Sequence, residues 1–418
     1  MRDSNGREMA TKEEVGGHRS QTAGRLVLFD NVQFIYELAL AQMELLAFGA
    51  EFQIDNGMRE FKVSHLPDEE ALLKRTAYFK AINGQPSFYS RITRRNRTRS
   101  VNQYLTHWIY PYKGKFHPQM IRALMNIIGL KEGDRVLDPF IGSGTTAVEA
   151  NLLGIDCIGF DISPVCVLQS KVKVESVRAL HLIERLKDMV MHSTERSLFN
   201  PEADLNTLID SIGDEITRNF YKMALLVTTS DQARRKRDFR TSFIKNINRM
   251  AGSVRDYDEV VRELKLRTGR IEIRIGDARK LPLPDASVDG VITSPPYSIA
   301  LDYIQNDLHA LEVIGIDADS LRAEMIGLRG KGKERIRLYE EDMAQAYKEM
   351  ARVLKAGKYA VIIIGNPNYN GEVIDIVGFT VRTMESLGLK LWRNIDKLIY
   401  GLYNIMQREN ILIFRKGE

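Results

Sequence analysis

Val136-Leu137-Asp138-Pro139-Phe140-Ile141-Gly142-Ser143-Gly144-Thr145-Thr146 is the stretch whose reading decides the fold. A short apolar run ends in a carboxylate, passes through two glycines spaced by one residue, and opens a helical pattern. Glycines at 142 and 144 let the backbone turn tightly and approach a ligand without a Cβ clash. The loop lacks the third glycine of a dinucleotide fingerprint, and no Gly-Lys-Ser/Thr follows, so a phosphate-gripping loop is excluded. Asp138 would repel a pyrophosphate and suits a ligand carrying an ammonium group. Phe140, Gly142, Gly144 and Thr145 complete the candidate cofactor loop.

Outward from this loop, apolar runs alternate with helical spacing. Strands are expected over 135–138, 157–161, 272–275, 288–293 and 359–364, with helices over 118–128, 145–153, 339–354 and 374–387 between them. Two terminal segments, 389–398 and 410–414, can pair as a hairpin. The pattern predicts an α/β fold with a Rossmann-like, doubly wound, mostly parallel sheet and an antiparallel terminal strand. Residues 1–24 are Gly-, Ser- and charge-rich and are expected to be disordered. Residues 25–89 are expected as a small N-terminal α/β domain, with a helix over 71–82, and 90–109 as a basic connector. The catalytic domain is assigned to 110–163 and 271–418. Between its halves lies a helical insertion, 164–270, several times longer than a crossover needs; it is the candidate target-recognition region.

Two further acids sit at strand ends. Asp161 is placed where such folds bind ribose hydroxyls, and Asp277 where it can accept from an adenine amino group. With Asp138 they fit a cofactor that has an ammonium, a ribose and an adenine, which is S-adenosylmethionine. A second motif, Ser294-Pro295-Pro296-Tyr297, ends the fourth strand. Pro-Pro cannot continue a ladder and holds the chain rigid. The Ser294 hydroxyl and Pro295 carbonyl are acceptors suited to an exocyclic NH2, and Tyr297 offers a face for a planar base. As a bare turn Ser-Pro-Pro-Tyr says little; after a buried strand and a cofactor loop it reads as an amine site, with Pro296 part of it.

Together, 138–146 and 294–297 resemble the S-adenosylmethionine-dependent DNA amino-methyltransferases, which methylate cytosine N4 or adenine N6. The tract Tyr110-Pro111-Tyr112-Lys113-Gly114-Lys115-Phe116-His117-Pro118 resembles the family's segment that packs on the methionine end of the cofactor, which brings in Lys115, Phe116 and His117. The resemblance implies a Rossmann-like methyltransferase and direct transfer to the amine of a flipped base. Its Ser-Pro-Pro-Tyr wording leans toward cytosine N4. Residues 117–153 and 276–298 also resemble tRNA guanine-N2 methyltransferases, which leaves RNA and adenine N6 as alternatives. A nucleic-acid-binding protein on an inactive methyltransferase scaffold is the non-enzyme alternative.

The chain has 418 residues and a formal charge of +5, and its basic residues are clustered. No Asp or Glu occurs from Ala71 to Lys131, a stretch that includes Arg91, Arg94, Arg95, Arg97 and Arg99. A second cluster holds Arg234, Arg235, Lys236 and Arg237. A third, Lys331 and Lys333, lies in a glycine-rich segment, 319–337, expected as a phosphate-gripping loop over the site. Such one-signed clusters suit a polyanion, double-stranded DNA in preference to RNA. A restriction endonuclease is the companion that the resemblance implies. No apolar run is long enough for a membrane span, and 1–19 has no apolar core for a secretory signal. Two cysteines, Cys157 and Cys166, make no disulfide framework and sit in core-like surroundings, which points to a cytoplasmic chain. Neither follows a proline as a cytosine-C5 nucleophile would, and 7 histidines without metal-ligand spacing argue against a metal enzyme.

Overall fold

The computed structural model describes residues 24–96, 100–112, 114–196, 201–297, 302–369, 371–398 and 408–418. The expectations for 1–23, Arg97 and Arg99 lie outside the described residues. The N-terminal part comprises β1 (Gly24–Leu28), α1 (Ile35–Ala47), β2 (Glu51–Asp55), β3 (Glu60–His65), α2 (Glu69–Arg75), β4 (Phe79–Ile82), β5 (Gln85–Pro86) and α3 (Phe88–Thr93). Its strands form an antiparallel sheet in the order β2-β3-β1-β4-β5.

The helix expected over 71–82 is therefore corrected. It is capped by Asp68, whose side chain accepts from Ala71 N, and it ends at Arg75. The buried Glu44 carboxylate takes over beyond it, accepting from Thr76 Oγ1 at 2.9 Å and from Ala77 N at 2.8 Å. These bonds hold the chain extended into β4. Glu44 also accepts from Asn126 Nδ2 at 2.8 Å, which ties the N-terminal sheet to the larger domain.

That domain contains α4 (Pro118–Ile127), β6 (Arg135–Asp138), α5 (Thr145–Leu152), β7 (Asp156–Asp161) and α6 (Pro164–Glu175). Four more helices follow: α7 (Leu180–Arg196), α8 (Pro201–Asp210), α9 (Glu215–Arg235) and α10 (Phe239–Glu263). Then come β8 (Ile271–Ile275), β9 (Val288–Thr293), α11 (Tyr303–Val313), α12 (Ala318–Glu324), α13 (Gly332–Val353) and β10 (Leu354–Ile364). A small ribbon, β11 (Asn368–Tyr369) with β12 (Glu372–Val373), leads to α14 (Ile376–Ser386), β13 (Leu389–Leu398) and β14 (Arg408–Lys416).

The main sheet has the order β13-β14-β10-β9-β6-β7-β8. Its ladders are parallel except those of β14, which runs antiparallel to both β10 and β13. The expected fold, a Rossmann-like, mostly parallel sheet with one antiparallel strand from the end of the chain, is the observed one. Central strands are apolar because helices cover both faces; all six residues of β9 are buried. Among the described residues no helix is long and apolar enough to cross a membrane.

Three differences from the sequence reading have physical causes. Within 164–270, α6 packs on α5, β7 and β8, so it is the crossover helix of the sheet, and the other four helices begin after it. The connector contains α3, started by Ser87, whose hydroxyl accepts from Ser90 N. Segment 319–337 holds α12, capped by Asp317, and the beginning of α13, whose apolar spacing extends further back than residue 339.

Gly144 begins α5 in the left-handed region (φ +75°), and a Cβ there would lie 2.7 Å from Ser170 Oγ and 2.9 Å from its Cα. Its smallness thus serves the approach of α6. Gly129 has a similar φ of +74° with open space around it. Gly129→Ala should destabilise by about 1 kcal/mol through backbone strain alone. Gly144→Ala should cost roughly 2 kcal/mol or more, because the clash adds to the strain. Paired thermal unfolding checks this; equal losses would assign no packing role to Gly144.

Candidate active site: a carboxylate-rich cleft at the carboxyl edge

The carboxyl ends of β6, β7, β8 and β9 open into one cleft of about 980 Å³, including the solvent at its mouth. Its floor holds Phe140, Gly142 and Ser143 of the first loop, Asp161 after β7, Asp277 after β8, and Ser294, Pro296 and Tyr297 after β9. The two sequence motifs, separated by about 150 residues, thus share one cavity because β6 and β9 are neighbours in the sheet. Phe116 joins them from the segment before α4, and α11 and α12 close the opposite wall.

Of the expected cofactor residues, Phe116, Phe140, Gly142, Asp161 and Asp277 line the cleft. Lys115, His117, Asp138, Gly144 and Thr145 stand behind it. Asp138 is wholly buried: its carboxylate accepts from Thr293 Oγ1 at 2.6 Å, Thr146 Oγ1 at 2.7 Å and Phe140 N at 3.2 Å. Burial pushes its pKa up to about 6 against those hydrogen bonds. The expectation that Asp138 faces an ammonium group is therefore corrected: it fastens the loop to the neighbouring strand. Lys115 donates to the carbonyl of His107 inside the protein, and burial lowers its pKa to about 7. His117 caps α4 by position, with its pKa lowered to about 4 by burial. Thr145 Oγ1 pairs with Ser143 Oγ at 3.2 Å, within the loop itself.

Asp161 accepts from Gly142 N at 3.0 Å and Ser163 N at 2.9 Å, and burial raises its pKa to about 6. Asp277 faces Arg279, whose Nη2 lies 2.7 Å from Asp277 Oδ2. The same guanidinium donates to Asp342 Oδ1 at 2.9 Å and to the Glu324 carbonyl at 2.9 Å. Arg329 also grips Asp342, at 2.6 Å. This clasp fixes α12 and α13 over the end of β8. In the amine motif Ser294 lines the cleft, Pro295 is buried beside it, and Tyr297 is 7% exposed.

Sequence reading missed the α11 wall. Tyr303, Asp307 and Leu311 line the cleft at i, i+4, i+8, a helical spacing legible right after the amine motif. Tyr303 stacks with Tyr112, centroids 6.2 Å apart at 21°. Asp307 accepts from Tyr110 Oη at 2.9 Å, and burial lifts its pKa to about 6. Cys166, read as core, is buried in the wall, and burial pushes its thiol well up.

The basic residues divide into those engaged in ion pairs and those left exposed. Arg91 and Arg95 reach across to α10: Arg91 Nη2 lies 2.7 Å from Glu263 and Arg95 Nη1 2.9 Å from Glu259. Arg94 between them is exposed. Arg235 and Arg237 both pair with Asp231, and Lys236 ends α9 in the left-handed region. Arg234 Nη2 donates to the Asn306 carbonyl at 3.1 Å, which sets this basic turn against α11. Lys331 and Lys333 are exposed at the start of α13.

Asp161, Asp277, Asp307 and Glu324 line the cleft, while no lysine or arginine does among the described residues. That charge suits a cation such as S-adenosylmethionine and opposes a phosphate-bearing cofactor. Asp161 and Asp307 lose their charge as pH falls through about 6. Affinity for S-adenosylmethionine, measured by calorimetry from pH 8 to pH 5, should therefore drop across that window. It should drop less for S-adenosylhomocysteine, which lacks the sulfonium charge. Equal pH slopes would remove the carboxylates from cation recognition.

The family description "DNA methylase" matches residues 68–171. A type II methyltransferase, M.MjaII of Methanocaldococcus jannaschii, is 32% identical over 132 residues, covering 32% of this chain and 24% of the relative. M.BsoBI of Geobacillus stearothermophilus is 25% identical over 279 residues, 53% of this chain and 55% of the relative. A tRNA (guanine(10)-N2)-dimethyltransferase of Methanothermobacter thermautotrophicus is 45% identical over 51 residues, 12% of this chain and 15% of the relative. The chain spans from about a quarter to about half the length of the two DNA relatives. Over its cofactor-loop segment the chain is thus similar to the DNA methylase family, with a secondary likeness to tRNA guanine-N2 methyltransferases.

Proposed function

We propose that the chain methylates an exocyclic amine in double-stranded DNA, cytosine N4 in preference to adenine N6, using S-adenosylmethionine. The observation that carries this reading is the meeting of the cofactor loop and Ser294-Pro295-Pro296-Tyr297 in one carboxylate-lined cleft. When bound, S-adenosylmethionine supplies an electrophilic methyl group on a sulfonium. Asp161 holds the ribose end and Asp277, already anchored by Arg279, borders the adenine end. Asp307 adds negative charge to the same wall, and the Phe116 and Phe140 side chains exclude water.

A target base reaches such a site only by leaving the duplex, at a cost of a few kcal/mol. Ser294 Oγ and the Pro295 carbonyl accept from its amine and direct the nitrogen lone pair into the cleft. Tyr297 borders the base. Catalysis then rests on positioning and electrostatics, with no covalent enzyme intermediate. Phosphate contacts are assigned to exposed cations: Lys331 and Lys333 at the start of α13, the turn Arg234–Arg237 against α11, and Arg94. Arg91 and Arg95 would have to leave their glutamates first, and Arg235 and Arg237 would have to leave Asp231. The insertion is the proposed reader of sequence, because rigid helices present side chains at fixed positions. A companion restriction endonuclease belongs to the same proposal.

The 51-residue likeness to a tRNA methyltransferase favours RNA as the second reading. Mass spectrometry of nucleosides, after separate incubation of DNA and tRNA with enzyme and labelled cofactor, separates them. N4-methylcytosine from DNA is the expected product; N2-methylguanosine from tRNA would replace the proposal. Ser294→Ala should lower turnover by about 100-fold, the scale of losing one acceptor used in the transition state. Its cofactor affinity should stay unchanged; a parallel fall would take Ser294 out of the amine site. Lys331→Gln with Lys333→Gln should flatten the salt dependence of DNA binding by up to about two phosphate contacts. The methylated sequence should stay the same, and a shifted sequence preference would make the lysines base readers.

A further inference from the structure

Tyr297 is held by a residue that the motif does not contain. Its hydroxyl donates to Glu409 Oε1 at 2.7 Å, and Lys397 Nζ lies 2.5 Å from Glu409 Oε2. Both ion-pair partners are largely buried, with 13% and 12% of their side chains exposed. On the other side Ser294 Oγ lies 3.5 Å from Tyr297 Oη, the outer limit of a hydrogen bond. Such contacts are often long before a substrate is bound and tighten afterwards. Ser294, Tyr297, Glu409 and Lys397 thus form a chain leading from the cleft into the terminal hairpin.

The antiparallel course of β14 explains why a residue 112 positions away stands here. A parallel strand would deliver its last residue to the carboxyl edge; β14 delivers its first. Asn410 pairs with Ile364 at the end of β10, and Ile362 pairs with Thr293, the residue before Ser294.

We propose that Glu409 is the positioning residue and terminal proton acceptor of the amine site, acting through Tyr297 and Ser294. The inference rests on the amine-methylation reading. When a primary amine gains a methyl group, its lone pair forms the nitrogen–carbon bond, and the carbon–sulfur bond breaks with its pair going to sulfur. The nitrogen must then release one proton. Ser294 is a poor final acceptor, because a protonated hydroxyl is strongly acidic. The proton passes to Ser294 Oγ as the serine's own proton moves to Tyr297 Oη. The tyrosine proton in turn moves to Glu409 Oε1. The carboxylate ends as a carboxylic acid and Lys397 keeps its charge.

The titratable groups facing Glu409 are Lys397 on β13, Tyr297 after β9, Tyr303 on α11, Tyr36 on α1 and His117 before α4. Burial holds the tyrosines protonated and lowers His117 to about 4, so these are neutral near pH 7.

The test compares wild type, Glu409→Gln and Tyr297→Phe, using tritiated S-adenosylmethionine and amplified, hence unmethylated, genomic DNA. The glutamine still accepts from Tyr297 but takes no proton; the phenylalanine keeps the ring and cuts the chain. Both variants should bind cofactor within twofold of wild type and lose at least tenfold in single-turnover rate at pH 7. Rates within twofold of wild type would overturn the relay. So would a fall in cofactor affinity and thermal stability that matches the fall in rate. If Glu409→Gln does not fold, Tyr297→Phe decides by the same criteria. Wild type that methylates neither DNA nor tRNA would overturn the methylation reading and the relay together; active wild type with active variants overturns the relay alone.

Discussion

The Asp138 carboxylate is the suture on which the cleft depends. One oxygen accepts from Thr293 at the end of β9 and the other from Thr146 on α5, and the carboxylate also receives the amide of Phe140. Breaking the Thr146 bond would leave the buried Oδ2 unsatisfied, at roughly 1–3 kcal/mol. Holding β9 against the loop fixes where Ser294 begins relative to Gly142. The same carboxylate that shapes the loop therefore sets the distance between the loop and the Ser294–Tyr297 motif. A charge buried for geometry is worth its desolvation only when every partner is present, and here three are.

Around that suture the cleft divides its charge. Acids face inward, while the exposed cations Arg234, Lys331 and Lys333 sit outside it, the first against α11 and the others at the start of α13. Arg279 shows how the division is kept: it spans from Asp277 on the floor to Asp342 on α13, so the covering segment is fixed to the strand it covers. Arg91 and Arg95 serve the same kind of purpose at a distance, joining α3 to α10 through Glu263 and Glu259. An acid-free run of sequence looked like a polyanion surface; in three dimensions it borrows its counter-charges from a helix about 165 residues away.

The sheet was legible because period-two and period-3.6 patterns are local, and so was the pairing of two short motifs on neighbouring strands. The α2–β4 turn was not, since the chain there obeys Glu44, a residue more than 30 positions earlier in the sequence. Asp307 could have been found by extending helical spacing from Tyr303. Glu409 could not, because only the order and direction of strands bring it to Tyr297. Asp138 was legible as important and misread in role: sequence shows a carboxylate beside a loop, but not which way its oxygens are already spent.

The placement of β14 also bears on biosynthesis. It comes last in chain order among the seven strands of the sheet, yet it lies inside, between β10 and β13. Until it leaves the ribosome, the run Ala360-Val361-Ile362-Ile363-Ile364 of β10 has an open edge of unpaired backbone and apolar side chains. A nascent chain in that state is an aggregation template. Tyr297 lacks its hydrogen-bond partner for just as long, since Glu409 travels with the strand that closes the edge.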